Sequence, residues 1–213
     1  MRQDSGGGFR RQVGLVLLCS LFALFGAAYP QEDAFFSSLR REKDPVLGRS
    51  LLALSRRTLV TYFKTGKVSW PREVPKSLSH RAGLFVTLLV DGRNRGCMGS
   101  LHPTEKDLAA ETVKNTLAAA LEDPLHPPLS SRDLPRIRIV ISVVGNPEHL
   151  APGETRDPLR FGLLVRSGGR AGVLLPAEAR TFKGQVKACK RKAGIREGAF
   201  VEKIAFETVS FRE

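Results

Sequence analysis

Cysteine is scarce in this chain: three are found among 213 residues. Cys19 lies in an apolar run near the N-terminus, which leaves Cys97 and Cys189 for the body of the sequence. The four histidines, His80, His102, His126 and His149, stand far apart. No Cys or His pair therefore has metal-ligand spacing, no iron–sulfur triad is present, and neither a metal nor a cofactor is expected. Phosphate-cradling glycine loops are also missing, because Gly6-Gly7-Gly8 belongs to the leading segment and Gly168-Gly169 joins two strands. Aromatics make up only 7% and do not interleave with the basic residues, so the stacking pattern of a nucleic-acid binder is lacking. Internal repeats and long linkers are absent too, which points to one domain.

What is present has globular proportions, with 42% hydrophobic and 26% charged residues. Basic residues dominate, giving a formal net charge of +13. Residues 1–28 hold three Arg and one Asp, so the body keeps +11 without them. Such a balance suits anionic partners (nucleic acid, phosphorylated small molecules or an anionic membrane face), although net charge bears on steering and solubility rather than on fold.

The leading segment has the order of an export signal. Arg10 and Arg11 precede an uncharged run from Gln12 to Phe25, and the small residues Gly26, Ala27 and Ala28 follow before Tyr29-Pro30. The paired arginines fit twin-arginine export only loosely. The run is shorter than the roughly twenty apolar residues of a spanning helix, which favours cleavage over anchoring. Residues 1–28 are thus read as a signal or membrane-targeting helix, 29–43 as a linker and 44–213 as the domain, exported or membrane-associated. The alternative is a cytoplasmic protein whose start lies downstream.

Within the body, Asp44-Pro45 opens a helix as N-cap and first residue, Leu47, Leu51, Leu54, Leu59 and Tyr62 mark its apolar face, and Gly66 closes it. Residues 69–78 form a loop. Leu84 to Val90 and Arg93 to Leu101 flank Asp91-Gly92, the favoured pair of a two-residue hairpin. Thr104 with Asp107 reads as a capping box for a helix that ends before Asp123-Pro124. Ile137, Ile139, Ile141 and Val143 alternate along a strand whose Arg138 faces solvent. Phe161 to Val165 and Ala171 to Leu175 make a second hairpin around Ser167-Gly168-Gly169. A helix over 178–193, closed by Gly194, and a final strand within 200–211 complete the pattern. Strands arriving in hairpins with helices between some of them define an α+β fold: one compact domain with a mainly antiparallel sheet.

Arg95-Gly96-Cys97-Met98-Gly99 resembles the Arg-Gly-Cys-aliphatic-Gly signature of the AMMECR domain family. Further matches follow in the family's order: Asp123-Pro124, Pro127-Pro128-Leu129, the strand Ile139 to Val143, Gly172 to Pro176, and Cys189 with Lys192 to Ile195. Two places depart from the family. Leu125-His126 replaces Arg-Phe, and Ala177-Glu178 replaces Gln-Val, so a positive charge and an amide are missing. The resemblance implies an accessory or ligand-binding component of an AmmeMemoRadiSam-type system, with a Memo-like protein and a radical S-adenosylmethionine protein as companions.

The signature is also the candidate site: Arg95, Gly96, Cys97 and Gly99 for a small anionic ligand, and Cys97 as the candidate catalytic thiol. The glycines allow either a ligand or another backbone to approach closely. The contrasting reading makes Cys97 a small buried hydrophobe beside the hairpin. His102 is a possible base, but five residues of extended chain put it roughly 16 Å away, and a turn histidine before Pro103 is the simpler reading. Two further alternatives stay open: a cysteine-dependent enzyme acting on a small anionic substrate, and a nucleic-acid binder using the basic stretch Lys183, Lys187, Lys190, Arg191, Lys192 and Arg196. A Cys97–Cys189 disulfide would require oxidising surroundings.

Overall fold

The computed structural model describes residues 29–213; the expected targeting helix, 1–28, lies outside the described residues. Two helices come first, α1 (Tyr29–Arg41) and α2 (Pro45–Thr65), followed by the hairpin β1 (Leu84–Val90) and β2 (Arg93–Gly99). Then come α3 (Leu108–Leu121), the long strand β3 (Ile137–His149), the hairpin β4 (Gly162–Ser167) and β5 (Arg170–Leu174), α4 (Phe182–Lys192) and β6 (Glu202–Arg212). All pairings are antiparallel, in the order β2-β1-β3-β6-β4-β5. The fold is α+β with one six-stranded sheet.

Strand alternation explains the layering. Val86, Leu88, Ile139, Ile141, Val143, Val209 and Phe211 share one sheet face and form the main core with α1, α2 and α3. Leu163, Val165, Leu174 and Ala205 continue that face and pack against Cys189 of α4. The opposite face carries Phe85, Val144, Ile204 and Phe206, which cluster with Leu101, Leu175, Cys97, Leu164 and Val173. Among the described residues no helix covers this second face. The sheet curls there, so the end of β5 comes within packing distance of β2 although the two strands are its opposite edges.

Local signals account for most boundaries. Asp44 caps α2 by accepting from Val46 N and Leu47 N at 2.8 and 3.2 Å, and Gly66 ends it in the left-handed region. Asp91 and Gly92 have φ of 52° and 76°, as a two-residue hairpin requires. Two expectations shift. Helix α4 starts at Phe182, capped by Thr181, rather than near 178. The capping-box reading of Thr104 is corrected: Asp107 is itself the N-cap and accepts from Ala110 N at 2.8 Å, while Thr104 bonds elsewhere.

Residues 29–43, expected as a linker, form α1 through Arg41. Phe36 and Leu39 are buried in the main core, and a Cβ placed on Gly145 of β3 would fall 2.0 Å from the Phe36 ring. Arg40 Nη1 donates to both carboxylate oxygens of Glu207 of β6, at 3.0 and 2.8 Å.

Candidate functional site

The signature occupies β2, an edge strand, and its residues separate by side. Gly96 and Met98 point toward α3, where a Cβ on Gly96 would lie 1.9 Å from Ala119 O. A Cβ on Gly99 would likewise meet Leu84 O at 2.2 Å. Both glycines therefore serve close backbone packing rather than open space for a ligand.

Arg95 is the odd residue of a β-bulge. Leu88 and Leu89 of β1 pair with Gly96 and Asn94, which leaves Arg95 unopposed. Its guanidinium is felt by Asp133, whose carboxyl is held below its usual range first by hydrogen bonds from Ser130 and then by Arg136 and Arg95. Arg95 is not among the groups that shift the Cys97 thiol.

Cys97 faces the curled side of the sheet, half-buried. Its Sγ accepts from Thr87 Oγ1 at 3.2 Å, and its backbone N–H donates to Asp123 Oδ2 at 2.8 Å. Asp123 Oδ1 also accepts from Leu125 N at 2.8 Å, so the Asp-Pro pair ties the loop after α3 to the outer strand. Burial pushes the Cys97 thiol up; the Thr87 hydrogen bond and Lys192 oppose this, while Glu178 and Asp123 add to it. The result is a protonated thiol at neutral pH. Cys189 is pushed up to about 12, chiefly by burial, and its S–H donates to Leu163 O at 3.2 Å. Both cysteines are free thiols.

Beside Cys97 the curled face opens into a cleft of about 530 Å³. Its floor sets four hydroxyls, Thr87 from β1, Ser142 from β3, and Thr208 and Ser210 from β6, beside the apolar Leu89 and Val140, with Ser142 and Ser210 bonded at 2.8 Å. Lys43 and Arg212 flank it, and the turn Leu175-Pro176 with Glu178 forms the far wall. Glu178 Oε2 accepts from Leu175 N at 2.7 Å, and Ala177 sits at φ 65° between Pro176 and Glu178. The departure Ala177-Glu178 thus lies at this wall, whereas Leu125-His126 lies in the loop beyond α3. Of the candidate site residues Arg95, Gly96, Cys97 and Gly99, Cys97 adjoins the cleft, through its hydrogen bond with Thr87. The hydroxyls were missed because single Ser and Thr residues on three strands carry no local pattern.

A second polar centre supports this region from below. Glu111 of α3 is fully buried and accepts from Ser100 Oγ, Thr104 N, Thr104 Oγ1, Glu105 N and Asn115 Nδ2 at 2.8 to 3.0 Å. It fixes the segment leaving β2 onto the helix. Among the described residues no group of three potential metal ligands occurs, and no helix is long and apolar enough to cross a membrane.

A curled six-stranded antiparallel sheet, helices on one face and an Arg-Gly-Cys-Met-Gly edge strand define the class of domain. The AMMECR1 family pattern matches residues 52–212, and the chain belongs to that family. A Thermotoga maritima protein is 40% identical over 146 residues, covering 66% of this chain and 84% of its own. A Thermofilum pendens protein is 36% identical over 149 residues, covering 62% and 70%. A Clostridium acetobutylicum protein is 30% identical over 167 residues, but this chain spans only 34% of its length. The crystal structure of an uncharacterized protein from Pyrococcus horikoshii superposes with a TM-score of 0.68 at 27% identity, covering 80% of this chain and 93% of that one.

Proposed function

We propose that this protein is a ligand-binding accessory member of an AmmeMemoRadiSam-type system, and that the cleft beside Cys97 takes a small anionic molecule. One observation carries the ligand class: a floor of four hydroxyls between Lys43 and Arg212. Two cations facing a single exposed carboxylate, Glu178, favour a negative ligand group, and Glu178 suits a donor at the ligand's other end. A thiol raised by burial argues against Cys97 as a nucleophile and for a packing role behind Thr87. A Memo-like protein and a radical S-adenosylmethionine protein remain the proposed companions, supported by family membership. An exported or membrane-associated location is proposed from the leading segment.

The test is calorimetric titration with a panel of small carboxylates and phosphates. Arg212→Ala is expected to weaken the best ligand by roughly tenfold or more, since a charge-assisted hydrogen bond contributes about 1.5 to 3 kcal/mol. Cys97→Ser is expected to retain binding. Loss on Arg95→Ala with none on Arg212→Ala would move the site to the outer edge of β2 and defeat this assignment.

A further inference from the structure

We propose that α4 and the loop bearing Phe200 form a peripheral docking surface for an anionic lipid bilayer. Phe200 is 86% exposed, the most exposed of the large hydrophobic residues described. It borders a mainly apolar groove of about 600 Å³ with Leu150, Pro152, Val186 and Val201. A single aromatic held outward over an apolar groove has no use for the protein's own packing. It suits insertion among acyl chains at the headgroup boundary.

Charge around the groove selects the kind of bilayer. From Arg180 to Lys203 the chain carries eight Lys and Arg against two Glu, a net +6 of the total +13. Lys183, Lys187 and Lys190 follow one another along α4 beside Val186, which lines the groove. Lys190 Nζ donates to Glu197 O and Ala199 O at 2.6 and 2.7 Å, and Lys187 pairs with Glu197 at 3.3 Å. These bonds pin the Phe200 loop to the helix. Glu202 is held by Arg166 and His149. Arg180, Lys183, Arg191 and Arg196 are exposed and have no carboxylate partner among the described residues. Nucleic acid would also be drawn to these cations, but one aromatic beside an apolar groove gives no succession of stacking faces, so the bilayer is favoured.

The experiment uses the full chain carrying Trp70→Phe and Phe200→Trp, so that the indole reports only from the loop. Vesicles of phosphatidylcholine containing phosphatidylglycerol are expected to shift its emission to the blue, and brominated acyl chains to quench it; pure phosphatidylcholine is expected to do neither. Lys183→Gln and Arg196→Gln should each raise the lipid concentration for half-binding about fivefold, and salt should weaken binding. Separately, Phe200→Ser should weaken flotation with these vesicles roughly tenfold. No shift on anionic vesicles, or an equal shift on neutral ones, overturns the proposal. A shift produced by a single-stranded oligonucleotide but not by vesicles overturns it in favour of nucleic acid. All these positions are exposed, so loss of fold is checked simply by circular dichroism.

Discussion

Glu111 shows how one side chain can govern a loop. Its carboxylate receives five donors, two of them backbone N–H groups that have no other partner in the segment 100–105. Replacing it with Ala removes the acceptor shared by the buried Asn115 and by the less buried Ser100, Thr104 and Glu105; a buried donor left unpaired costs about 1 to 3 kcal/mol, and an exposed one less. Glu111→Ala is therefore expected to lower stability by roughly 3 kcal/mol or more, read from the urea midpoint. Ala177 works in the opposite direction. Leu175 O accepts from Glu178 N across a turn with Pro176 first and Ala177 at positive φ, a position that favours glycine. Ala177→Gly should raise stability by about 0.5 to 1 kcal/mol, measured as a higher melting temperature.

Among the elements, hairpins and capped helices were legible because their signals are local. Asp91-Gly92 and Gly168-Gly169 mark their turns, and Asp44-Pro45 with Gly66 brackets α2. Gly92→Val is expected to destabilise by roughly 1 to 2 kcal/mol through backbone strain alone, since nothing lies within 4 Å of a Cβ there; an unchanged unfolding midpoint would argue against the turn. Helix α1 escaped the reading because it follows the apolar leading run directly, and its register is set by Phe36 meeting Gly145 more than a hundred residues later. The bulge at Arg95 escaped for a similar reason: a five-residue signature suggests adjacency, but the extra residue turns Arg95 away from Cys97.

For the whole molecule, the curl of the sheet was the feature least accessible to sequence. It brings the turn after β5 next to β2 and so makes the cleft from residues as distant as Thr87 and Glu178. Burial of Cys189 on the helix-covered face sets a pH limit. Folded Cys189 keeps its proton up to about 12, whereas its ordinary value is 9.0, so its contribution is complete below pH 9 and falls as pH rises from 9 toward 12. The stability advantage of the native chain over Cys189→Ala should shrink by about 1.4 kcal/mol per pH unit in that window, measured by urea unfolding.

Strand order has a consequence for synthesis. β6, the last in chain order of the six strands described, lies between β3 and β4 rather than at an edge. Until Glu202–Arg212 arrives, the growing chain holds two separate pieces of sheet, each with an open side. One of these is the Ile- and Val-rich flank of β3, a template for pairing with the wrong chain. Completion of the sheet therefore waits for Glu202–Arg212, and until that strand is in place the chain is exposed to aggregation at the strand that later becomes the centre of the core.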